Sequence, residues 1–338
     1  MMTLGVQTAV GVLKAVAEPT RLRVLSLLGA SELNVKDLTR ILGQSQPRIS
    51  RHLKLLAEAG LVERSPEGSW VYFRLAQEGE AATLARHIVA GLDPRDPLLA
   101  RDATRLEALR QEHEAAAQAY FHEHAGQWDR IRALHLAEAE VEAAVAHMLG
   151  DGPFDLLLDL GTGTGRMLEL LSGRFRRGLG LDRSPAMLAY ARAKLETAHL
   201  SHCQVRQADI YDLPLADQTA DAVVMHQVLH FLSDPQRALR EAARVLAPGG
   251  RLLIVDFAPH SLDFLRDQFA HERLGFADGQ IRQWLADCGL GLIEARDLAP
   301  EIADGEEKLT VSVWLAARPG DRGKPRTLSQ ARKLERIA

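Results

Sequence analysis

Apolar positions over the first 75 residues recur three and four apart, then switch to alternation. In "TRLRVLSLLGA", which follows a first helix ending near Glu18 and Pro19, Leu22, Leu25 and Leu28 share a face and Thr20 is placed to cap the N-terminus. In "NVKDLTRILG" the shared face is Val35, Leu38, Ile41 and Leu42, and Gly43 is a natural stop. In "QSQPRISRHLKLLAEAGLV" Ile49, Leu53 and Leu56 point inward. Ser45 can cap that helix, and Pro47 falls in its first turn, where a missing N–H does no harm. "LVERSPEGSWVYFRL" then alternates around a Pro/Gly turn, with Trp70, Tyr72 and Arg74 at every second position, as a β-hairpin does.

The order helix, helix, turn, helix, hairpin is that of a winged helix-turn-helix. Residues 93–152 are rich in Ala, Glu, Arg and Leu, with Pro94 and Pro97 near their start and Gly-Asp-Gly at their end, which predicts long helices. From Phe154 the period changes again. "FDLLLDL" is a continuous apolar run, the mark of a parallel strand buried on both faces. Further strands are expected at "RGLGLD", "CQVRQAD", "DAVVMH", "RLLIVDF", "GLIEARDL" and "TVSVWLAA", with helical segments between the first six. That alternation predicts a doubly wound sheet with its ligand at the C-terminal strand ends. The expected fold class is α/β overall: a winged helix-turn-helix DNA-binding and dimerisation domain over 1–80, a helical connector over 81–119, a Rossmann-like domain over 120–318 with its core at 153–318, and a basic tail over 319–338.

Composition narrows the partners. A hydrophobic share of 46% and a charged share of 25% are globular averages and argue against wholesale disorder. The net charge of -4 argues against a general polyanion binder, yet residues 1–75 carry ten Lys/Arg against six Asp/Glu. Residues 318–338 carry seven against two, so the middle is acidic. A basic head on an acidic body fits nucleic-acid contact by one domain only. Two cysteines, Cys203 and Cys288, fit a reduced cytoplasmic protein and are too few for a disulfide framework or a four-Cys zinc site. No apolar run approaches about 20 residues, and the N-terminus lacks the basic start and small-residue cleavage site of a signal peptide. A cytoplasmic protein without membrane partners is therefore expected, and its tail reads as a mobile end or short docked helix.

Two stretches carry chemistry. On the third helix of the head the outward positions are Gln46, Arg48, Ser50, Arg51 and Lys54, groups that reach base edges and phosphates in a major groove. Arg64 and Arg74 in the hairpin extend that candidate DNA-binding set. The second stretch is "LLLDLGTGTGRMLELL". A dinucleotide fold wants G-x-G-x-x-G, but here Gly161, Gly163 and Gly165 alternate and Arg166 stands where the third glycine would fall. Alternating glycines let backbone pass flat beside a bulky ligand without phosphate. Asp159 can meet an ammonium group, Asp182 at the second strand end both ribose hydroxyls, and Asp209 the adenine amino group, with Ile210 packing the ring. S-adenosylmethionine has these features; a nicotinamide dinucleotide is disfavoured by the spacing.

"EPTRLRVLSLL" and "SQPRISRHLKLLAEAGLVERSPEGSWVYFRL" resemble ArsR/SmtB-type repressors across residues 10–75. The resemblance implies a symmetric homodimer on a palindromic double-stranded operator, released by a small effector. The arsenic-sensing members carry cysteines where this chain has "ELNVKDL", with Asn34, Val35 and Lys36, and soft metals want thiolates. The segment "AATLARHIVAGL" has His87 alone instead of the zinc-sensing members' spaced ligand set. No metal is expected there, and His113, His122 and His124 read as a solvated helix face.

"DLGTGTGR", "GLDRSPAML", "QADIYDLPLADQTADAVVMHQVLHF" and "REAARVLAPGGRLLIVDF" resemble class I S-adenosylmethionine-dependent methyltransferases over roughly 120–317, with the last two similar to the small-molecule and quinone-modifying branch. The resemblance implies a mixed sheet whose last strand inserts beside the fifth, antiparallel to its neighbour. It implies cofactor contacts at Asp159, Gly161, Gly163, Asp182, Met187, Asp209, Ile210 and His226, to which Gly165 and Arg183 are joined by position. "AYFHEHAGQWDRIRALH" resembles the aromatic-rich helix that many such enzymes fold over the cofactor; Tyr120, Phe121 and Trp128 either cover a pocket or pack the helix onto its domain. Methyl transfer relies on positioning. Candidate proton acceptors are His226, His230 and His271, with His260 beside them. The absence of an Asn-Pro-Pro-Tyr motif disfavours methylation of nucleic-acid bases, and the lack of a thiol cluster disfavours methylation of arsenic. The expected function is an ArsR-type regulator, of repressor type, whose methyltransferase-like domain takes S-adenosylmethionine or S-adenosylhomocysteine as effector, with methionine-cycle genes as its natural output. The alternative is an active small-molecule methyltransferase that also binds operator DNA.

Overall fold

The computed structural model describes residues 5–67, 70–76, 79–128, 138–299 and 309–320. From residue 321 the basic tail lies outside the described residues. Packing divides the chain into two units. One holds the described residues of Met1–Glu123 together with Leu229–Pro235 and Phe257–Phe276; the other holds His124–Val228, Gln236–Asp256 and the residues from Ala277 onward.

The first unit begins with helices α1 (Val6–Val16), α2 (Pro19–Ala30), α3 (Val35–Leu42) and α4 (Gln46–Glu58). α2 is capped by Glu18, whose carboxylate accepts from the Arg21 N–H at 2.9 Å. Thr20, the expected cap, is instead inside the helix and buried, because Pro19 with its preset φ already serves as the first helical residue. Ser45 holds the N-cap position of α4 but makes no side-chain capping bond; Asn34 caps α3 by accepting from the Asp37 N–H. Strands β2 (Val62–Glu67) and β3 (Trp70–Leu75) pair antiparallel, and β1 (Leu33–Asn34) adds to the other edge of β3. Leu25, Leu38, Ile41, Ile49, Leu53, Leu56 and Leu61 are closed off from solvent, each contributing roughly 1.5–3 kcal/mol by burial.

Residues 81–119, which read as a connector by composition, pack in this same unit as parts of α5 (Glu80–Ala90) and α6 (Pro97–His124). The reason is charge used inward. Arg23 of α2 makes a two-pronged pair with Asp102 of α6 at 2.6 and 2.7 Å, and Asp102 is 1% exposed. Arg105 donates to the Ile41 carbonyl at 2.9 Å, closing the C-terminal end of α3. Ala-rich helix with regular charges looks solvated in sequence, yet buried charges of this kind are tolerated when they are paired.

The second unit is built on a seven-stranded sheet, among the described residues, in the order β6-β5-β4-β7-β8-β10-β9. The strands are β4 (Phe154–Leu160), β5 (Phe175–Asp182), β6 (Cys203–Gln207), β7 (Ala220–His226), β8 (Leu246–Phe257), β9 (Gly291–Leu298) and β10 (Val311–Ala317). β4 to β8 are joined by parallel pairings and β10 pairs antiparallel with β9, so the mixed sheet with its last strand beside β8 stands as expected. α7 (Glu138–Leu149), α8 (Arg166–Leu170), α9 (Pro185–Thr197), α10 (Pro235–Val245) and α12 (Asp278–Asp287) accompany it, while the short α11 (Phe264–Phe269) belongs to the first unit. Strand order reverses at β4, which lies between β5 and β7. Such a reversal opens a crevice at the C-terminal strand ends.

Candidate functional site

The loop after β4 fills that position. Gly161 has φ +73°, and a Cβ there would run into the Val228 side chain, so only glycine passes. Gly163, at φ +51°, lies under Trp128, whose Nε1 would be 3.5 Å from an added Cβ. Gly165 leads into α8 and faces Ala191 of α9. Four backbone donors of this loop are already spent. Gly161 and Thr162 donate to the Leu181 carbonyl at 2.8 and 3.0 Å, Gly165 to the Thr162 carbonyl at 2.8 Å, and Gly163 to Asp182 Oδ2 at 2.8 Å. A phosphate-binding loop offers its N–H groups to the ligand. Here the geometry favours a flat, non-phosphorylated molecule, and the bare backbone cradle fits a nucleoside of the S-adenosylmethionine kind.

The acids stand in different surroundings. Asp182 ends β5 partly accessible, with Oδ2 accepting from Gly163 and Oδ1 from the Ser184 N–H at 2.8 Å. Burial raises its pKa above the usual carboxylate range, against the lowering effect of those backbone donors. Each oxygen keeps acceptor capacity for a hydroxyl. Asp159 is 1% exposed and takes the Thr162 hydroxyl at 2.6 Å on Oδ2, so it braces the loop. Asp209 is exposed after β6, its Oδ1 accepting from the Tyr211 N–H at 2.9 Å, with Ile210 half-buried beside it. Met187 is buried in the first turn of α9, where Ser184 caps the helix by accepting from the Met187 N–H; Arg183 is exposed. His226 is half-buried at the tip of β7. Trp128, the glycine loop, Asp159, Asp182, Arg183, Met187, Asp209, Ile210 and His226 thus share the second unit, whereas Tyr120 belongs to the first.

In the first unit Tyr120 meets Phe121 and Phe269, and Phe121 meets Phe231 with ring centres 4.8 Å apart. His230 and His271, both buried, have ring centres 4.2 Å apart, and His271 stacks on Phe257. His260 lies against the same Phe257. Among the described residues no group of three His, Cys, Asp or Glu is placed to hold a metal ion, and no helix is long and apolar enough to cross a membrane.

On α4, Gln46, Arg48, Ser50, Arg51 and Lys54 are all exposed, as is Arg64 on β2. Arg74 differs. Its guanidinium pairs with Glu63 at 2.8 Å and lies 3.7 Å from Glu32, with a side chain only 23% exposed. The structure draws this cation toward the protein, because two carboxylates reach it, Glu63 from its own sheet and Glu32 from just after α2.

Family models match two parts of the chain: that of a methyltransferase domain at residues 158–254, and that of bacterial regulatory proteins of the arsR family at 18–64. Malonyl-[acyl-carrier protein] O-methyltransferase of Methylococcus capsulatus is 31% identical over 224 residues, covering 62% of this chain and 79% of that protein. The chain is a methyltransferase-family member with an arsR-type domain at its head. Demethylmenaquinone methyltransferase of Thermus thermophilus is 41% identical over 105 residues, 30% of this chain; the chain spans 47% of that relative's length. The solved geranyl diphosphate C-methyltransferase of Streptomyces coelicolor superposes with a TM-score of 0.46 at 19% identity, over 54% of this chain and 77% of its own.

The arsR-type domain holds a feature that sequence reasoning missed. Trp70 and Tyr72, at alternate positions of β3, are covered by residues from far along the chain. Arg266 lies over the Trp70 ring at 4.5 Å and Arg273 over the Tyr72 ring at 4.1 Å. The Tyr72 hydroxyl donates to the Glu272 carbonyl at 3.0 Å, and Arg273 pairs with Glu32 at 2.7 Å, both side chains almost wholly buried. Arg110 of α6 pairs with Asp234 at 2.6 Å, and His113 with Glu272 at 3.2 Å. The Glu272 and Arg273 N–H groups both donate to the His230 carbonyl. These contacts enclose a cavity of about 20 Å³, wide enough for one water, lined by Glu32, Asp37, Tyr72, His113, Glu272 and Arg273 among others. Partners 241 residues apart leave no local spacing to read.

Proposed function

We propose that the protein is a DNA-binding transcriptional regulator whose methyltransferase domain takes S-adenosylmethionine or S-adenosylhomocysteine as effector. One observation carries this reading: Leu229–Pro235 and Phe257–Phe276, which continue β7 and β8 in sequence, pack in one unit with the arsR-type domain. The chain leaves the tip of β7, beside the glycine loop's partner Val228, and within a few residues contributes Asp234 to Arg110. It leaves β8 and contributes Arg266, Glu272 and Arg273 to β3 and its surroundings. In this reading a displacement of either strand tip runs along the chain into these segments, whose buried charge pairs tolerate poorly any loss of register.

The glycine loop, Asp182, Asp209, Met187, Ile210, His226 and Trp128 form the effector site in this reading. The two ligands differ by one methyl group and one positive charge, and coupling requires only that the DNA-competent and released states bind them unequally. Gln46, Arg48, Ser50, Arg51, Lys54 and Arg64 meet the operator. Val6, Val10 and Leu13 make an exposed apolar stripe on α1, at 76%, 40% and 57% exposure, which supports assembly as a homodimer. Genes of the methionine cycle are the natural target of such a sensor.

A second reading, a working small-molecule methyltransferase that also binds operator DNA, draws on the likeness to methyltransferases such as that of Methylococcus capsulatus. One experiment separates the two. Each ligand is titrated into protein bound to duplex DNA selected from a random pool, while labelled S-adenosylmethionine is followed for transfer into a metabolite extract. The sensor reading expects an operator affinity shifted by about tenfold or more, without labelled product. Labelled product supports the enzyme, and ligand binding that leaves operator affinity unchanged overturns the sensor.

A further inference from the structure

Gln227 joins two anomalies in one residue. It follows β7 with φ +53°, a left-handed backbone that residues with a Cβ rarely adopt, and its N–H is pinned to the Val255 carbonyl of β8 at 2.7 Å. Its side chain is 6% exposed, yet the amide nitrogen has no hydrogen-bond partner among the described residues. A glycine would relax the backbone, and a leucine would fill similar space without burying a donor. Strain and an unmet donor in the same side chain are costs that folding alone does not explain.

The place of Gln227 in the sheet narrows its partner. The acids suited to adenosine, Asp182 and Asp209, follow β5 and β6, on one side of β4; β7 lies on the other. Val228, the next residue, seals the first glycine of the loop. A ligand with its adenosine toward β5 and β6 extends its amino-acid end across β4 toward β7. An amide N–H₂ calls for an oxygen acceptor, and that end carries a carboxylate.

We propose that the Gln227 side-chain amide donates to the carboxylate at the amino-acid end of the bound nucleoside, making it a specificity-determining residue of the site. This inference rests on the reading of the glycine loop as a nucleoside amino-acid site.

Calorimetry with two probes, S-adenosylhomocysteine and 5′-methylthioadenosine, which lacks the amino-acid end, tests it on the full chain. For Gln227→Leu, the affinity for S-adenosylhomocysteine falls about tenfold while that for 5′-methylthioadenosine changes less than about twofold. Gln227→Glu, which sets a carboxylate against a carboxylate, lowers the first affinity further and again spares the second. Without ligand, the melting temperature of Gln227→Leu stays level or rises, and that of Gln227→Gly rises through relief of strain. A ligand-free protein destabilised by both Leu and Gly assigns Gln227 a structural role and overturns the proposal. So does unchanged affinity for S-adenosylhomocysteine, or an equal loss for both probes. If the unsubstituted protein binds neither probe, the reading of the site itself has failed, an outcome visible before any variant is made.

Discussion

The outer face of α4 and the outward face of β3 look alike in sequence: each sets cationic and hydrogen-bonding side chains at the spacing that turns them away from the core. In the folded chain their fates part. On α4, Arg48, Arg51 and Lys54 stay exposed. On β3, Trp70, Tyr72 and Arg74 are held by Arg266, Arg273, Glu32 and Glu63. Periodicity tells which way a side chain points from its own element. What else in the chain arrives to cover it is a separate question, and here the covering residues include Arg266 and Arg273 from far along the chain.

The strongest way to break this contrast is to empty the covered face. Arg273→Met leaves Glu32 as a buried carboxylate with Arg74 3.7 Å away, and the expected cost is roughly 3 kcal/mol in thermal or denaturant unfolding. Glu32→Gln combined with Arg273→Met costs less than the sum of the two single changes. A loss below about 0.5 kcal/mol for Arg273→Met means the pair is ornamental and the two faces do not differ as described.

Arginines from the two faces sharpen the contrast directly. Arg51→Ala weakens binding to selected duplex DNA by about tenfold and reduces the slope of log affinity against log salt by roughly one. Arg74→Ala leaves affinity within about twofold and acts on stability instead. Equal losses of affinity in an anisotropy titration would place Arg74 on the DNA after all.

The smallest expected effect lies at the margin of the covered face. The Glu272 carboxylate beside His113 raises the imidazole pKa above its ordinary 6.5, and Asp37 and Glu112 act in the same direction against burial. The folded state therefore holds this proton more tightly than the unfolded one. The contribution is complete below pH 6.5 and is lost as pH rises through the raised value. Asp37, whose pKa burial raises, also holds its proton more tightly within the fold, there as the neutral acid. His113→Gln should lower stability by less than about 1 kcal/mol near pH 6 and leave it unchanged in mildly alkaline buffer. A difference that grows with pH would reverse the assigned sign.

What was legible in the sequence was written in local pattern. The strand "FDLLLDL", the glycines at alternate positions and the helix faces of the head all follow from spacing within one element. The loop could be told from a phosphate cradle because Arg166 replaces a glycine, and in the structure that loop spends its N–H groups on Leu181, Thr162 and Asp182. Asp159, at the place before the glycines where a ligand group is expected, accepts from the Thr162 hydroxyl inside the same motif. Gln227 gave no signal, since neither a positive φ nor an unmet amide has a sequence signature. Composition cannot show that Arg23 and Arg40 reach across to α6, or that Arg105 reaches out from it to Ile41.

The covered face of β3 limits how freely this chain can be taken apart. A head cut out at residue 123 would carry Trp70, Tyr72 and Glu32 into water without Arg266 and Arg273, two residues that cover them. Swapping heads between such proteins, by recombination or at the bench, demands that residues 257–276 travel with the head.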